Sequence, residues 1–289
     1  MNISHENGNI ILTDTDSFVL SHIFDCGQCF RWNMNEDGSY TGVFKGKVLK
    51  ISGDDEKVVF HNTCEKDFYD VWWDYFDFET DYLKIKKDLS ADPILKEAIG
   101  YGAGIRILRQ DLWECVVSFI ISASNNIPRI KKIIELLCCN FGEKTEYMGE
   151  VFYSFPTPEK IRSLTLEDLS IIRAGFRDKY ILDAAEKFVS GKISREKLSG
   201  LSAKEAKQEL MKIKGVGNKV ADCIILFGLA KCESFPVDVW IKRIMEYCYF
   251  DKEQPIERIS AFATEKFGEL GGFAQQYLFF YARENRIGL

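Results

Sequence analysis

The sequence has no apolar run of the roughly 18 to 20 residues that a membrane span needs. Its opening, MNISHENGNIILTDTDS, has neither the basic nor the apolar stretch of a secretory signal. The expectation is a cytoplasmic protein, nucleoid-associated if the source is bacterial, and not secreted. No internal repeat and no low-complexity tract is present. No metal-ligand cluster or nucleotide-binding loop stands out, so neither a metal nor a cofactor is expected. The chain also lacks a basic surplus: 38 Lys and Arg face 44 Asp and Glu, a net charge of −6. On charge alone it does not read as a nucleic-acid binder. The nine cysteines are irregularly spaced and form no disulfide or zinc pattern. One C-x-x-C, Cys26 to Cys29 in CGQCFRW, reads as a turn entering a strand, with no second pair beside it. These are expected to be ordinary thiols, and Cys138 and Cys139, in a helical apolar run, are expected in the core.

What is present is globular: 46% of residues are hydrophobic and 28% charged. The charge is uneven. Acidic residues gather in DVWWDYFDFETD, basic ones at 129–132, 173–179 and 212–219. Residues 28–62 alternate short Phe, Val, Ile and Tyr runs with turn signals, including Asp37-Gly38, and predict an antiparallel meander. From about residue 65 the apolar spacing turns helical. YGAGIR at 101–106 breaks the pattern and suggests a boundary, giving a sheet-containing unit over 1–104 and a helical unit over 105–289. The second unit is expected to be almost entirely helical. Pro128 falls where a helix start tolerates proline, and Thr165 with Asp168 reads as a cap pair.

Within the helical unit, SAKEAKQELMKI and GNKVADCIILFGLA are two helices joined by a glycine turn, a helix-hairpin-helix over 210–229. Gly215 and Gly217 flank one valine, a spacing for a tight turn or a close approach. Backbone N–H groups exposed at the start of the second helix suit a phosphate oxygen without reading sequence. The plain alternative is a turn between packed helices. Lys219, in the first turn, is either a solvated or phosphate-contacting lysine or a nucleophile. The second role needs the neutral amine, favoured by a helix N-terminus, by nearby Lys214 and by partial burial. Nineteen residues on, FPVDVW places Asp238 at a helix start, where it reads as an N-cap. The same fixed carboxylate could stabilise a cationic sugar or take a proton. Amine and carboxylate beside such a hairpin suggest attack on a sugar C1′.

LMKIKGVGNKVADC followed by FPVDVW resembles the helix-hairpin-helix DNA glycosylase superfamily. CGQCFRW, SNNIPRI, AGFRDKY and FAQQYLFFYAR look like its 8-oxoguanine DNA glycosylase/abasic-site lyase branch, in the same order along nearly the whole chain. The resemblance implies an α+β fold: an N-terminal antiparallel β-sheet domain packed on a two-lobed all-α helix-hairpin-helix domain. It implies a monomer acting on double-stranded DNA that contains 8-oxoguanine, with no membrane partner. Lys219 matches the nucleophile that displaces the base and forms a Schiff base, and Asp238 the supporting carboxylate. Gly27 matches the position whose carbonyl reads the N7 hydrogen of 8-oxoguanine. Cys223 and Phe279 match the walls around the flipped base, and Gln275 the amide at its Watson–Crick edge. From the residues alone, Cys223 and Phe279 would read as core. Arg129 and Arg177 match the arginines that hold the orphan cytosine, and Phe176 an aromatic wedge.

Some positions depart from the pattern. Ser124, Asn125 and Asn126 stand where the family usually has three asparagines, so Ser124 falls at the gap-filling position and Asn125 is a second candidate. Phe176 replaces a common tyrosine, Trp240 a common histidine and Phe227 a methionine. These changes bear on opposite-base discrimination more than on chemistry. Among rivals, a thymine-glycol or adenine glycosylase often carries a four-cysteine iron–sulfur loop, and no cysteine follows Cys248. An alkylbase glycosylase keeps the aspartate without the lysine. A non-enzymatic helix-hairpin-helix module would need neither Asp238, Gly27 nor Gln275.

Overall fold

A computed structural model of the chain describes residues 1–54 and 56–287. Its N-terminal part is built on six strands: β1 (Asn2–Glu6), β2 (Asn9–Thr13), β3 (Trp32–Met34), β4 (Tyr40–Phe44), β5 (Lys47–Gly53) and β6 (Lys57–His61). They form one antiparallel sheet in the order β1-β2-β6-β5-β4-β3. The meander is as expected, and the β1–β2 hairpin adds to it. Its turn is Asn7-Gly8, both at positive φ, and Ile10 and Leu12 alternate inward from β2 to full burial. Trp32 organises the core of this part. Its ring lies across Gly42, its partner in register, where a Cβ would stand 2.3 Å from the indole Cδ2. Phe24 stacks on it with centroids 4.1 Å apart, and its Nε1 donates to the Tyr75 hydroxyl at 2.6 Å.

The helical part contains α1 (Tyr82–Leu89), α2 (Pro93–Tyr101), α3 (Leu112–Ser122), α4 (Ile127–Phe141), α5 (Asp178–Val189), α6 (Ala203–Leu210), α7 (Asn218–Cys223), α8 (Val239–Met245), α9 (Ile256–Phe267) and α10 (Gly271–Glu284), with shorter turns between them. Side-chain caps start many of these helices: Asp92 on α2, Asp111 on α3, Asn126 on α4, Ser202 on α6 and Asp238 on α8. Thr165 and Asp168 form a full capping box. No helix among the described residues is long and apolar enough to cross a membrane.

Three features differ from the sequence expectations. A second hairpin, β7 (Lys144–Tyr147) and β8 (Glu150–Tyr153), interrupts the helical part at a Met148-Gly149 turn. Its strands are short and none of their residues is buried, so they carry little apolar alternation. Cys139 is exposed while Cys138 is buried, because consecutive helix positions point about 100° apart. The cores also divide elsewhere than at residue 104: Tyr82, Ile85, Leu89, Leu95 and Ile99 pack with the helical core, against α10 among others.

The segment Phe24–Trp32 runs along the seam between the two cores. Phe24, Cys29 and Trp32 belong to the sheet core, Cys26 and Phe30 to the helical one. Gln28, fully buried, fixes it there. Its Nε2 donates to Ile23 O at 2.9 Å and Arg106 O at 2.7 Å, and its Oε1 accepts from Leu108 N at 2.9 Å. Gln110 Nε2 closes on the Gln28 carbonyl at 2.6 Å, and Gln110 N donates to Phe227 O at 3.0 Å. Gln28→Leu keeps the bulk and strands three backbone partners. Equilibrium urea unfolding should register a loss of about 3 kcal/mol or more, at about 1–3 kcal/mol for each buried group left unpaired.

Candidate active site

At the seam a cavity of about 320 Å³ is lined by Cys26, Gly27 and Phe30 of this segment and by residues of the helical part. Gly27 supplies one wall. Its φ of +79° is a conformation that favours glycine, and a Cβ there would stand 3.4 Å from the Phe279 ring. The turn therefore brings main chain, not side chain, to the cavity. Phe279 and Gln275, one turn apart on α10, also line it, with Cys223 from α7 and Trp240 from α8. Phe227 lines it too, its ring stacked on Phe119 with centroids 5.6 Å apart.

Lys219 and Asp238 meet in this cavity. The Lys219 amine lies 5.4 Å from the centroid of the Phe119 ring. Lys214 is placed differently from the expectation. It is exposed on the hairpin, where its backbone N–H donates to Asp183 at 2.8 Å, and it does not line the cavity. Asp238 caps α8, its Oδ1 accepting from Ile241 N at 2.8 Å. Burial raises its carboxyl above the usual range, against the opposing pull of that cap bond and of the Lys219 charge. Burial likewise pushes the Cys223 thiol up to about 11, with Lys219 acting against it. The site thus holds an amine, a capped carboxylate and a neutral thiol in apolar surroundings.

The hairpin leads directly into Lys219. Gly215 sits at φ +84°, where a Cβ would strike the Tyr180 ring at 2.4 Å. Gly217 starts α7 without a side-chain cap and with open space around it, so the first N–H groups of α7 have no side-chain partner from it. Asp183 on α5 holds the turn through Lys214 N and receives Lys187 Nζ at 2.5 Å. The loop before α4 reaches the same side. Asn125 and Asn126 line the cavity, whereas Ser124, exposed at φ +50°, does not. Asn125 Nδ2 donates to Ile121 O at 3.1 Å, and Asn126 caps α4 through Arg129 N at 3.0 Å.

Phe176 is 57% exposed, but Arg177 behind it is only 4% exposed. The guanidinium stacks on the Phe176 ring at 4.4 Å and donates to Ala123 O, to Ser124 O at 3.3 Å and to Ala174 O at 3.2 Å. Arg129 is exposed and close enough to lower the Arg177 pKa, second to burial. Among the cavity residues that escaped the sequence reading are Phe119, Arg283 and Gln276. Phe119 looked like one more apolar residue of a buried helix. Arg283 lies one turn beyond Phe279, donates to the Asp25 carbonyl and stands 5.7 Å from the Phe279 ring. Gln276 is buried beside Gln275. Spacing from Phe279 was a usable signal for Arg283. Among the described residues, no group of three or more His, Cys, Asp or Glu is placed to hold a metal.

Residues 10–116 match the model of the 8-oxoguanine DNA glycosylase N-terminal domain, and residues 117–269 that of the HhH-GPD superfamily of base excision DNA repair proteins. The chain belongs to the 8-oxoguanine DNA glycosylase branch of that superfamily. A solved 8-oxoguanine glycosylase/lyase from Clostridium acetobutylicum, in complex with double-stranded DNA containing cytosine opposite 8-oxoguanine, is 46% identical. It superposes with a TM-score of 0.96 over 99% of both chains. MBOgg1, solved with a low-affinity DNA ligand, is 50% identical with a TM-score of 0.96, again over 99% of both chains. The N-glycosylase/DNA lyase OGG1 of Arabidopsis thaliana is 30% identical over 93% of this chain and 78% of its own.

For a glycosylase of this branch, the protonation of Asp238 has a readable consequence. Its raised pKa means that the carboxyl takes up a proton at a higher pH than an ordinary aspartate, near 3.9. The charge that would face a cationic sugar is present above that pKa and lost as pH falls through it. Single-turnover excision should therefore show an acid limb centred above the ordinary aspartate range. Asp238→Asn should remove the limb and lower the plateau by a factor on the order of 10² or more. A full rate in the variant, with only the melting temperature reduced, would leave Asp238 as a helix cap.

Proposed function

We propose that this glycosylase flips 8-oxoguanine out of duplex DNA into the cavity, excises it through Lys219 and then nicks the abasic strand. The observation that carries the reading is the convergence of Lys219, Asp238, Gly27 and Gln275 on one base-sized cavity beside the hairpin. The Gly27 carbonyl accepts from the N7 hydrogen that 8-oxoguanine has and guanine lacks. A guanine N7 lone pair would face that oxygen and be repelled. Cys223 and Phe279 hold the base between them, Phe227 and Trp240 close the cavity, and Gln275 faces the Watson–Crick edge. The Lys219 amine attacks C1′ in its unprotonated form, the glycosidic bond breaks, and the base leaves with the bonding electrons and takes up the proton that the newly bonded nitrogen sheds. Asp238 stabilises positive charge at the sugar during this step. Ring opening gives the Schiff base, and loss of a 2′ proton expels the 3′ phosphate by β-elimination.

The backbone of the DNA lies on the side where the three basic clusters meet. Arg177 joins the Ala123–Ser124 carbonyls, and the hairpin rests on Tyr180 and Asp183 of α5. Gly215 and Gly217 present backbone N–H groups to phosphate, Ser124 to Asn126 border the vacated stack, and Phe176 wedges into it. We place the enzyme in the cytoplasm, with the nucleoid if the source is bacterial.

Lys219→Gln cannot form the imine. It should lose both excision and the borohydride-trapped adduct while keeping affinity for an 8-oxoguanine duplex. Trapping that persists in this variant would assign the nucleophile to another amine.

The two arginines separate in a second test, excision opposite each of the four bases. The Arg129 side chain, exposed and without a hydrogen bond or ion pair among the described residues, can donate to O2 and N3 of an orphan cytosine, whereas Arg177 is engaged by three carbonyls. Arg129→Ala should reduce the preference for cytosine by about one to two decades, the worth of a charge-assisted hydrogen bond felt in the transition state. Arg177→Ala should in addition lower the melting temperature. An unchanged base preference in both variants would make them phosphate contacts.

A further inference from the structure

The second glutamine of FAQQYLFFYAR has no part in the reading above. Gln276 is 2% exposed and lines the same cavity as Gln275, which is 5% exposed. Its Nε2 donates to Gln275 Oε1 at 2.7 Å, and its own Oε1 has no hydrogen-bond partner among the described residues. As a purely structural pair this is poor. Two buried amides share one bond and leave a carbonyl orphaned, and buried acceptors are ordinarily satisfied. The side chains also leave consecutive helix positions, about 100° apart, yet meet. What the bond does accomplish is to set one torsion. A primary amide has its acceptor at one end and two donors at the other. With Oε1 of Gln275 turned to Gln276, the NH₂ end of Gln275 is the end offered to the cavity.

We propose that Gln276 is a positioning residue that locks the Gln275 amide with its donors toward the base, so that the pocket selects a 6-oxo over a 6-amino purine. The inference rests on the reading of the cavity as an 8-oxoguanine site. O6 of 8-oxoguanine accepts from the presented NH₂. The 6-amino group of 8-oxoadenine would set donor against donor, while both bases carry the same N7 hydrogen for the Gly27 carbonyl. The lock, rather than the first glutamine alone, makes the edge readable, because a free amide could rotate to suit either base.

The test is single-turnover excision of 8-oxoguanine and of 8-oxoadenine, each opposite cytosine in the same duplex. Both rates are normalised to borohydride trapping on an abasic duplex, which needs no base reading. The wild-type chain should favour 8-oxoguanine. Gln276→Met, unbranched and apolar, should lower the ratio by about tenfold, the worth of one hydrogen bond to the transition state. Gln276→Glu should lower it further when assayed at alkaline pH, where the carboxyl, which burial holds in its protonated form to a higher pH, is ionised. An ionised carboxylate only accepts, so it would draw the Gln275 NH₂ to itself and turn Oε1 to the base. The absolute rate on 8-oxoadenine should then rise. A ratio unmoved in both variants, or an equal loss on both lesions, would overturn the proposal and leave Gln276 as packing. The Glu variant decides the matter if the Met variant fails to fold. A wild-type chain that leaves 8-oxoguanine in place would instead overturn the reading of the cavity itself, and this inference with it.

Discussion

The rest of the site depends on a buried amide. Gln28 bonds Ile23, Arg106 and Leu108 at once, and Gln110 closes on its carbonyl while reaching Phe227. These contacts tie the turn before β3 to the irregular segment before α3 and to the helical stretch after Lys219. The positive φ of Gly27 is held from both sides by its neighbours: Cys26 is packed in one core and Cys29 in the other. On the proposed reading the Gly27 carbonyl meets one hydrogen of the base, and such a contact cannot drift by an ångström and still discriminate. The two cores supply the rigidity, and the glutamine supplies the register between them.

Charge is arranged on the same principle of local control. The chain is acidic overall, at −6, yet the loops on the proposed DNA side carry arginine and lysine. Arg177 illustrates what such a residue can do before any nucleic acid arrives. With its guanidinium held by carbonyls of two loops, it makes the loop before α4 and the turn before α5 one mechanical unit. Phe176 is then presented outward on a cationic support instead of collapsing into the core.

Much of this was legible beforehand, for physical reasons that differ by residue. Glycine at a positive φ, an aspartate two residues past a proline and a capping box are local signals, because the backbone near them dictates the residue. The α+β division followed from a change of apolar period. The β7–β8 hairpin was not legible, since neither strand buries a residue and nothing in its composition alternates. Gln28 and Gln276 were missed for the opposite reason. Their partners lie far along the chain or on a neighbouring helix position, so no window of sequence displays the bond. Cys139 shows the limit of reading a run of residues as one environment, when a helix turns each successor away from the last.

The thiols at the cavity have a consequence for the conditions under which the enzyme must work. Burial pushes both Cys26 and Cys223 to about 11. At neutral pH both are therefore held as thiols, and it is the thiolate that reacts with peroxide. The same apolar surroundings that line the cavity therefore shield the thiols beside Lys219 from oxidation.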